Sequence, residues 1–411
     1  MSTVRSIILN IYDELKLRNV ISQSTNDEKV KKMLNEEKVT FYLGCDPTAD
    51  SLHVGSFVQL MLISRLQKAG HNPICLFGGA TGLIGDPSGK NSMRRLMDKE
   101  DIEHNVNCFK KQMSKFLDIS NVTFVNNADW LCDLNYIDFL RDIGVHFNVN
   151  KMIASECYKL RLADGLTFLE LNYMIMQGYD FLHLHNKFGC SLQVGGSDQW
   201  SNIIAGIDLI RKKTQHEVYG LTTNLLTTSD GKKMGKTEKG ALWLDPEKTS
   251  PYEFYQYWIN INDNDVVNCM KILTNIDLKT ISELENLKGK EVIKAKEMLA
   301  FEITKLVHGE NMAEKARLTS SEIFTCSGMS DNMPTIELEI STLSEEISVL
   351  DLLLTTKIIP SKSEGKRLIN QNGISIDGNL INIDQKISKA ELKKGIVIKK
   401  GKKNYNKVVL K

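Results

Sequence analysis

Residues 40–90 read TFYLGCDPTADSLHVGSFVQLMLISRLQKAGHNPICLFGGATGLIGDPSGK, and this stretch decides the fold. A short apolar run from Thr40 to Leu43 predicts a strand, and GCDPTAD a turn. Asp50 or Ser51 can cap a helix from Leu52 to about Lys68, rich in apolar residues and stopped by Gly70. A second apolar run, Pro73 to Phe77, predicts a strand that ends in glycines. Strand, helix and strand this close together make a parallel βαβ unit. The fold class expected is therefore α/β, a Rossmann-like doubly wound parallel sheet that binds ligands at the carboxyl ends of its strands.

Working outward, residues 1 to about 38 carry helix formers around an STND capping signal and read as helical. Residues 125–170 read as mixed helix and loop, and LTFLELNYMIMQGYDFLHLH as one long helix against the sheet. CSLQVGGSDQW reads as another buried strand ending in glycines. After TTSDGKKMGKTEKGALW the chain turns to helices, from about Pro251 to Phe324, and the polar CSGMSDNMP marks a linker. A small, basic α+β module closes the chain. Residues 351–411 hold fourteen Lys or Arg against five Asp or Glu, although the whole chain carries a formal charge of only +1.

Composition bounds the answer further. At 411 residues, with 42% hydrophobic and 25% charged content, the chain fits a soluble protein of two or three domains. No run of about eighteen apolar residues predicts a membrane span, and acidic residues arrive too early for a transit peptide, so the cytoplasm is the expected compartment. The eight cysteines form no CxxC pair, and the eight histidines lack metal spacing; reduced thiols and no structural metal are expected.

Three segments can carry chemistry. His53 falls at the start of the first helix, where backbone N–H groups and the helix dipole favour an anion. GGATGLIGDPSGK brings five glycines together with Asp86 and Lys90, with Arg94 four residues on, as a loop against a charged ligand would. It fits neither a Walker loop nor GxGxxG. SDGKKMGKT sets Lys233 and Lys236 three apart in a glycine-flanked loop, as mobile charges for a polyphosphate. Each alone has a bland reading: a capping histidine, a generic turn, a solvated loop.

Together, and in this order, FYLGCDPTADSLHVGS, GGATGLIGDPSGK, TFLELNYMIMQGYDFLHL, LQVGGSDQW and KMGKT resemble the successive signatures of bacterial tyrosyl-tRNA synthetases, from about Leu15 to the end of the chain. In that class I family the HIGH signature corresponds to His53, Val54, Gly55 and Ser56, and KMSKS to Lys233, Met234, Gly235, Lys236 and Thr237. Ser56 and Gly235 depart from the family pattern.

The resemblance implies activation of tyrosine with ATP and its transfer to tRNA(Tyr), with Mg2+ accompanying ATP and no tightly bound cofactor. Thr48, His53, Lys90, Arg94, Lys233, Lys236 and Thr237 would stabilise the departing pyrophosphate. Gly44, Asp46, Gly55, Ser56, Gly196 and Asp198 would receive ATP. Tyr173, Gln177 and Asp180, spaced by four and three, share one helix face. Asp86, Tyr173 and Gln177 would hold the amino group of tyrosine, Tyr42 and Asp180 its phenol, with Gln193 and Gln199 near its carboxylate. VLDLLLTTKIIPSKSEGKRLINQNGISIDGNLI resembles an alpha-L RNA-binding motif, with Lys362, Lys366 and Arg367 on one helix.

The organisation implied is a catalytic domain over 1–245 with a dimer-interface insertion at about 125–170, a helical anticodon-binding domain over 246–330, a linker over 331–346 and the RNA-binding domain over 347–411. A homodimer is implied. Three other readings stand beside this one: a tryptophanyl-tRNA synthetase, which shares both signatures; a non-catalytic RNA-binding protein on the same fold; and a nucleotidyltransferase outside translation. Tyr42 and Asp180 argue for the phenol, and the retained His53, Lys233 and Lys236 argue for catalysis.

Overall fold

A computed structural model describes residues 10–88, 97–237, 240–325, 335–338, 345–401 and 404–411. The chain divides into two units, one of residues 1–249 with 261–299 and the other of 250–260 with 300–411.

The first unit is built on a six-stranded sheet of β1 (Ile21–Ser24), β2 (Thr40–Cys45), β3 (Asn72–Phe77), β4 (Thr123–Asn126), β5 (Leu192–Gly196) and β6 (Tyr219–Thr223). Their spatial order is β1-β6-β5-β2-β3-β4, with β6 to β4 parallel and β1 antiparallel on the edge. The central strands β3 and β5 are buried on both faces, as continuous apolar runs in a helix-covered parallel sheet must be. The chain leaves β2 for β3 on one side and returns to β5 on the other. The switch point of the sheet therefore lies between the carboxyl ends of β2 and β5, where a crevice opens.

The helix Val54–Lys68 connects β2 to β3 and is apolar nearly all round; Val54, Phe57, Val58 and every residue from Leu60 to Leu66 are buried. A helix of that kind belongs inside the domain rather than on its surface. The expected long helix is present over Phe168–Phe188, started by a capping box between Thr167 and Glu170 and stopped by Gly189 in the left-handed region at φ 66°.

The structure differs from expectation at four points. Residues before 38 are not wholly helical, because Ile21–Ser24 adds an edge strand to β6 between the helices Ile11–Leu17 and Asp27–Glu36. The first long helix starts after His53 rather than at Leu52: Leu52 O accepts from Leu244 N at 2.9 Å, and Val54 N donates to Leu242 O at 3.0 Å. That pairing holds residues 52–53 extended and leaves His53 as the N-cap. Residues 261–299, expected in a separate helical domain, group with the first unit, fastened by Arg18 and Arg65. Finally, Thr335–Leu338, inside the stretch expected to be linker, forms a strand parallel to Asn404–Leu410.

In the second unit, the helices Pro251–Ile259 and Glu310–Thr325 pack together, and Gln256 Nε2 donates to Ser320 Oγ at 2.8 Å. A five-stranded sheet orders Asn379–Leu380, Ile374–Ile376, Ile396–Lys400, Asn404–Leu410 and Thr335–Leu338. Val349, Leu352, Leu353, Ile398 and Val408 close its core without exposure.

Candidate active site

A cleft of about 400 Å³ opens at the switch point. Alternation along β2 sends Tyr42, Gly44 and, just past the strand, Asp46 to the same face, and all three line the cleft. The following turn and helix start add Thr48, His53 and Ser56, and the loop after β3 adds Asp86. The long helix supplies Tyr173, Gln177 and Asp180 from one face, as their spacing requires, and the end of β5 supplies Gln193, Gly196, Asp198 and Gln199.

At the deep end, Asp180 is buried with both carboxylate oxygens engaged. Trp130 Nε1 donates to Oδ1 at 2.8 Å and Asn127 Nδ2 to Oδ2 at 3.0 Å. Burial pushes its carboxyl up to about 7 against the pull of these two donors. The Tyr42 phenol is pushed well up by burial and then by the charge of Asp180, and its hydroxyl is buried with no partner. Gln177 Oε1 and Gln193 Oε1 are likewise buried and unpartnered. Leaving such atoms unmade costs about 1–3 kcal/mol each, so this wall is prepared for a polar guest.

A chain of hydrogen bonds runs from Asp180 towards the mouth. Asn127 Nδ2 also donates to Thr81 Oγ1 at 3.0 Å, Thr81 Oγ1 donates to Asp46 Oδ1 at 2.8 Å, and Tyr173 OH donates to Asp46 Oδ2 at 2.7 Å. The backbone N–H of Ala80 binds Asn127 Oδ1 at 2.8 Å, which fixes the orientation of that amide. Gly78 makes the network possible, since a Cβ there would lie 2.0 Å from Asp46 Oδ1 and 2.3 Å from Thr81 Oγ1. Asp46, expected among the ATP contacts, is thus tied to the tyrosine-side residue Tyr173.

Asp86 accepts from Ser88 N at 2.9 Å and from Gln199 Nε2 at 2.6 Å, and burial raises its carboxyl. Gln193 stands in register with Tyr42 across β2 and β5.

At the mouth, His53 and Trp243 form an antiparallel bridge, their rings 6.1 Å apart and tilted by 61°. Gly55 does not line the cleft. It makes room for the His53 ring, because a Cβ there would stand 2.7 Å from Cε1 and 2.9 Å from Nδ1. Lys233 is exposed, bridged to Thr227 and outside the lining. The backbone of Lys236 and Thr237 pairs with Gly240 and Ala241 in a two-stranded hairpin. Lys90 and Arg94 lie outside the described residues.

Lys362, Lys366 and Arg367 share the helix Lys362–Asn370 as expected. Lys362 pairs with Asp351 at 2.5 Å, and Arg367 lies 3.6 Å from Glu364. Sequence reasoning missed Thr81, Asn127, Trp130 and Trp243. The run NNADW, following an apolar strand as GGATG does, is the one signal that points to Asn127 and Trp130.

Known proteins resemble this chain over nearly its whole length. A family described as class I tRNA synthetases (W and Y) matches residues 34–325, and the C-terminal domain of tyrosine–tRNA ligases matches residues 326–408. The chain is 56% identical over 405 residues to the tyrosine–tRNA ligase of Acetivibrio thermocellus, covering 98% of this chain and 99% of that protein. It is 53% identical over 406 residues to that of Clostridium kluyveri, covering 98% and 100%. Among solved structures, a C-terminally truncated mitochondrial tyrosyl-tRNA synthetase of Aspergillus nidulans superposes with a TM-score of 0.68 at 28% identity, covering 77% of this chain and 94% of that one.

Proposed function

The chain belongs to the tyrosine–tRNA ligases among the class I tRNA synthetases, and on that premise we propose how its cleft performs the reaction of that family. Tyrosine is activated with ATP to tyrosyl-adenylate and pyrophosphate, and the tyrosyl group then passes to the 3′ end of tRNA(Tyr).

The unpartnered, buried Tyr42 hydroxyl beside Asp180 carries the reading of specificity. A substrate phenol donates to the Asp180 carboxylate and accepts from Tyr42. Phenylalanine would leave the Tyr42 hydroxyl without a partner in a buried wall and offer Asp180 no donor in exchange for the water it displaces, and is rejected for that reason. Asp86, Tyr173 and Gln177 receive the substrate ammonium, with Asp46 holding Tyr173 in place. Gln199, braced on Asp86, faces the carboxylate where the new bond forms.

The tyrosine carboxylate attacks the α-phosphate in line, so the protein supplies positioning and charge rather than a covalent nucleophile. His53, standing at the N-cap of a buried helix, and Thr48 meet the phosphates where the helix dipole already favours negative charge. Lys233 and Lys236 lie on the loop that closes over the departing pyrophosphate. Gly44, Gly196 and Asp198 take the adenosine. In this reading Mg2+ enters on the phosphates of ATP.

A homodimer is part of the proposal. Tyr136, Ile137, Val145, Val149 and Phe168 are each more than half exposed, an apolar concentration within or beside the expected interface segment that solvent alone does not favour. The basic C-terminal module, with Lys362, Lys366 and Arg367, grips tRNA through its phosphates.

Pyrophosphate exchange with ATP and Mg2+, offering tyrosine, phenylalanine and tryptophan in parallel, tests the reading. Exchange with tyrosine alone, lost in Lys236→Ala, is expected. Exchange with tryptophan, or none with any amino acid, would overturn it.

A further inference from the structure

The two catalytic signatures are far apart in sequence, yet one short helix outside both of them is fastened to the lysine loop and to the helix that His53 caps. That helix, Val266–Leu273, has Asp265 at its N-cap position. An aspartate there ordinarily caps its own helix. Here the Asp265 side chain makes no such bond; Oδ1 accepts from the backbone N–H of Ser229 at 2.7 Å, in the turn that opens the lysine loop. Asp265 is only 5% exposed, and its Oδ2 is buried without a partner. One turn further along, the Cys269 thiol donates to Met234 Sδ at 3.7 Å, and both side chains are buried. Ser229 and Met234 bracket Lys232 and Lys233, so the base of the loop is pinned on both sides.

The other end of the same helix is pinned to the core. Arg65, on the helix that His53 caps, donates to Ile272 O at 2.9 Å and Thr274 O at 2.6 Å. Arg18 reaches Ile276 O at 2.9 Å and is itself held by Glu14 at 2.6 Å. Two buried guanidiniums therefore satisfy carbonyls at and beyond the last turn, where positive charge is favourable.

We propose that Asp265 is a positioning residue for adenylation: the helix Val266–Leu273 acts as a strut that sets the base of the lysine loop relative to the His53 helix, and Asp265 is its joint to that base. The proposal rests on the tyrosine-activating reading above. Groups that act on developing charge must be held close to their working position, and a misplacement of about 1 Å can cost about a hundredfold in rate. Lysines on a loop without a joint would lose rate while the tyrosine pocket, on the other elements, stays as it is.

Pyrophosphate exchange on the full chain tests this with Asp265→Ala, Asp265→Asn and Ser229→Pro, the last removing the N–H donor while leaving Asp265 in place. Asp265→Ala and Ser229→Pro are expected to lower kcat by about tenfold or more with the KM for tyrosine unchanged. Asp265→Asn, which keeps the acceptor, is expected to recover most of that loss. A kcat near wild type in both disruptive variants would overturn the proposal, as would equal losses in Asp265→Ala and Asp265→Asn, or a rise in tyrosine KM that matches the fall in kcat. Failure of the wild-type protein to exchange with tyrosine would instead overturn the reading on which it rests.

Discussion

Trp130 donates its indole N–H to Asp180 Oδ1 at 2.8 Å, in the wall of the cleft and fifty positions away in sequence. Asp180 is thus aimed by its neighbours rather than by its own rotamer preference alone. Trp130 is in turn stacked on His183, with ring centroids 4.3 Å apart and planes within 12°. Trp130→Phe keeps the stack and removes the donor. A hydrogen bond to a charged group contributes about 1.5–3 kcal/mol, so the KM for tyrosine should rise by roughly tenfold or more, with kcat much less affected. Steady-state exchange kinetics check this, and an unchanged KM would show that Asn127 alone orients the carboxylate.

The Asp180 carboxyl, held at about 7 by burial, predicts a pH dependence with a definite sign. An unfolded chain ionises it near about 3.9, so the folded state keeps the proton over the interval between the two values. The stability it contributes is present in full below about pH 4 and is lost as pH rises through about 7. Asp180→Asn removes the buried charge and should therefore raise the unfolding temperature relative to wild type at pH 8 more than at pH 5. Thermal unfolding of both proteins at the two pH values measures it; a gap that does not change with pH counts against the assignment. Ionised Asp180 is also the form that accepts the phenol, so kcat/KM for tyrosine should fall below about pH 7 in wild type.

Gly55→Ala places a methyl 2.7 Å from His53 Cε1, which forces the ring to move while the helix backbone already suits alanine. The expected outcome is a protein that unfolds at nearly the wild-type temperature, binds tyrosine with an unchanged KM and exchanges pyrophosphate at least about tenfold more slowly. Equal rates would remove His53 from the chemistry.

Phe168 is 67% exposed and Ile137 59% exposed, in the segment proposed as the subunit contact. Charging both, as Phe168→Asp with Ile137→Lys, should shift sedimentation velocity from dimer to monomer at micromolar protein, with secondary structure preserved. A wild-type protein that sediments as a monomer would refute the proposal outright.

Sequence by itself determined the βαβ start, the long helix and the grouping of Tyr173, Gln177 and Asp180. These follow from local periods, in which spacings of four and three return side chains to one helix face and alternation returns Tyr42 and Gly44 to one sheet face. It also carried the family signatures around His53 and Lys233. Tertiary structure alone decided the rest. The edge strand Ile21–Ser24 exists because β6 offers it an antiparallel partner, and His53 became an N-cap because residues 242–244 pull the chain before it into pairing. Asn127, Thr81 and Asp46 became one network with Asp180 because parallel strands bring their carboxyl ends together. Asp265 was turned from capping its helix to holding a loop thirty-six residues earlier. Local sequence encodes which way a side chain leaves its own element, whereas the partner it meets is set by the packing of elements distant in the chain.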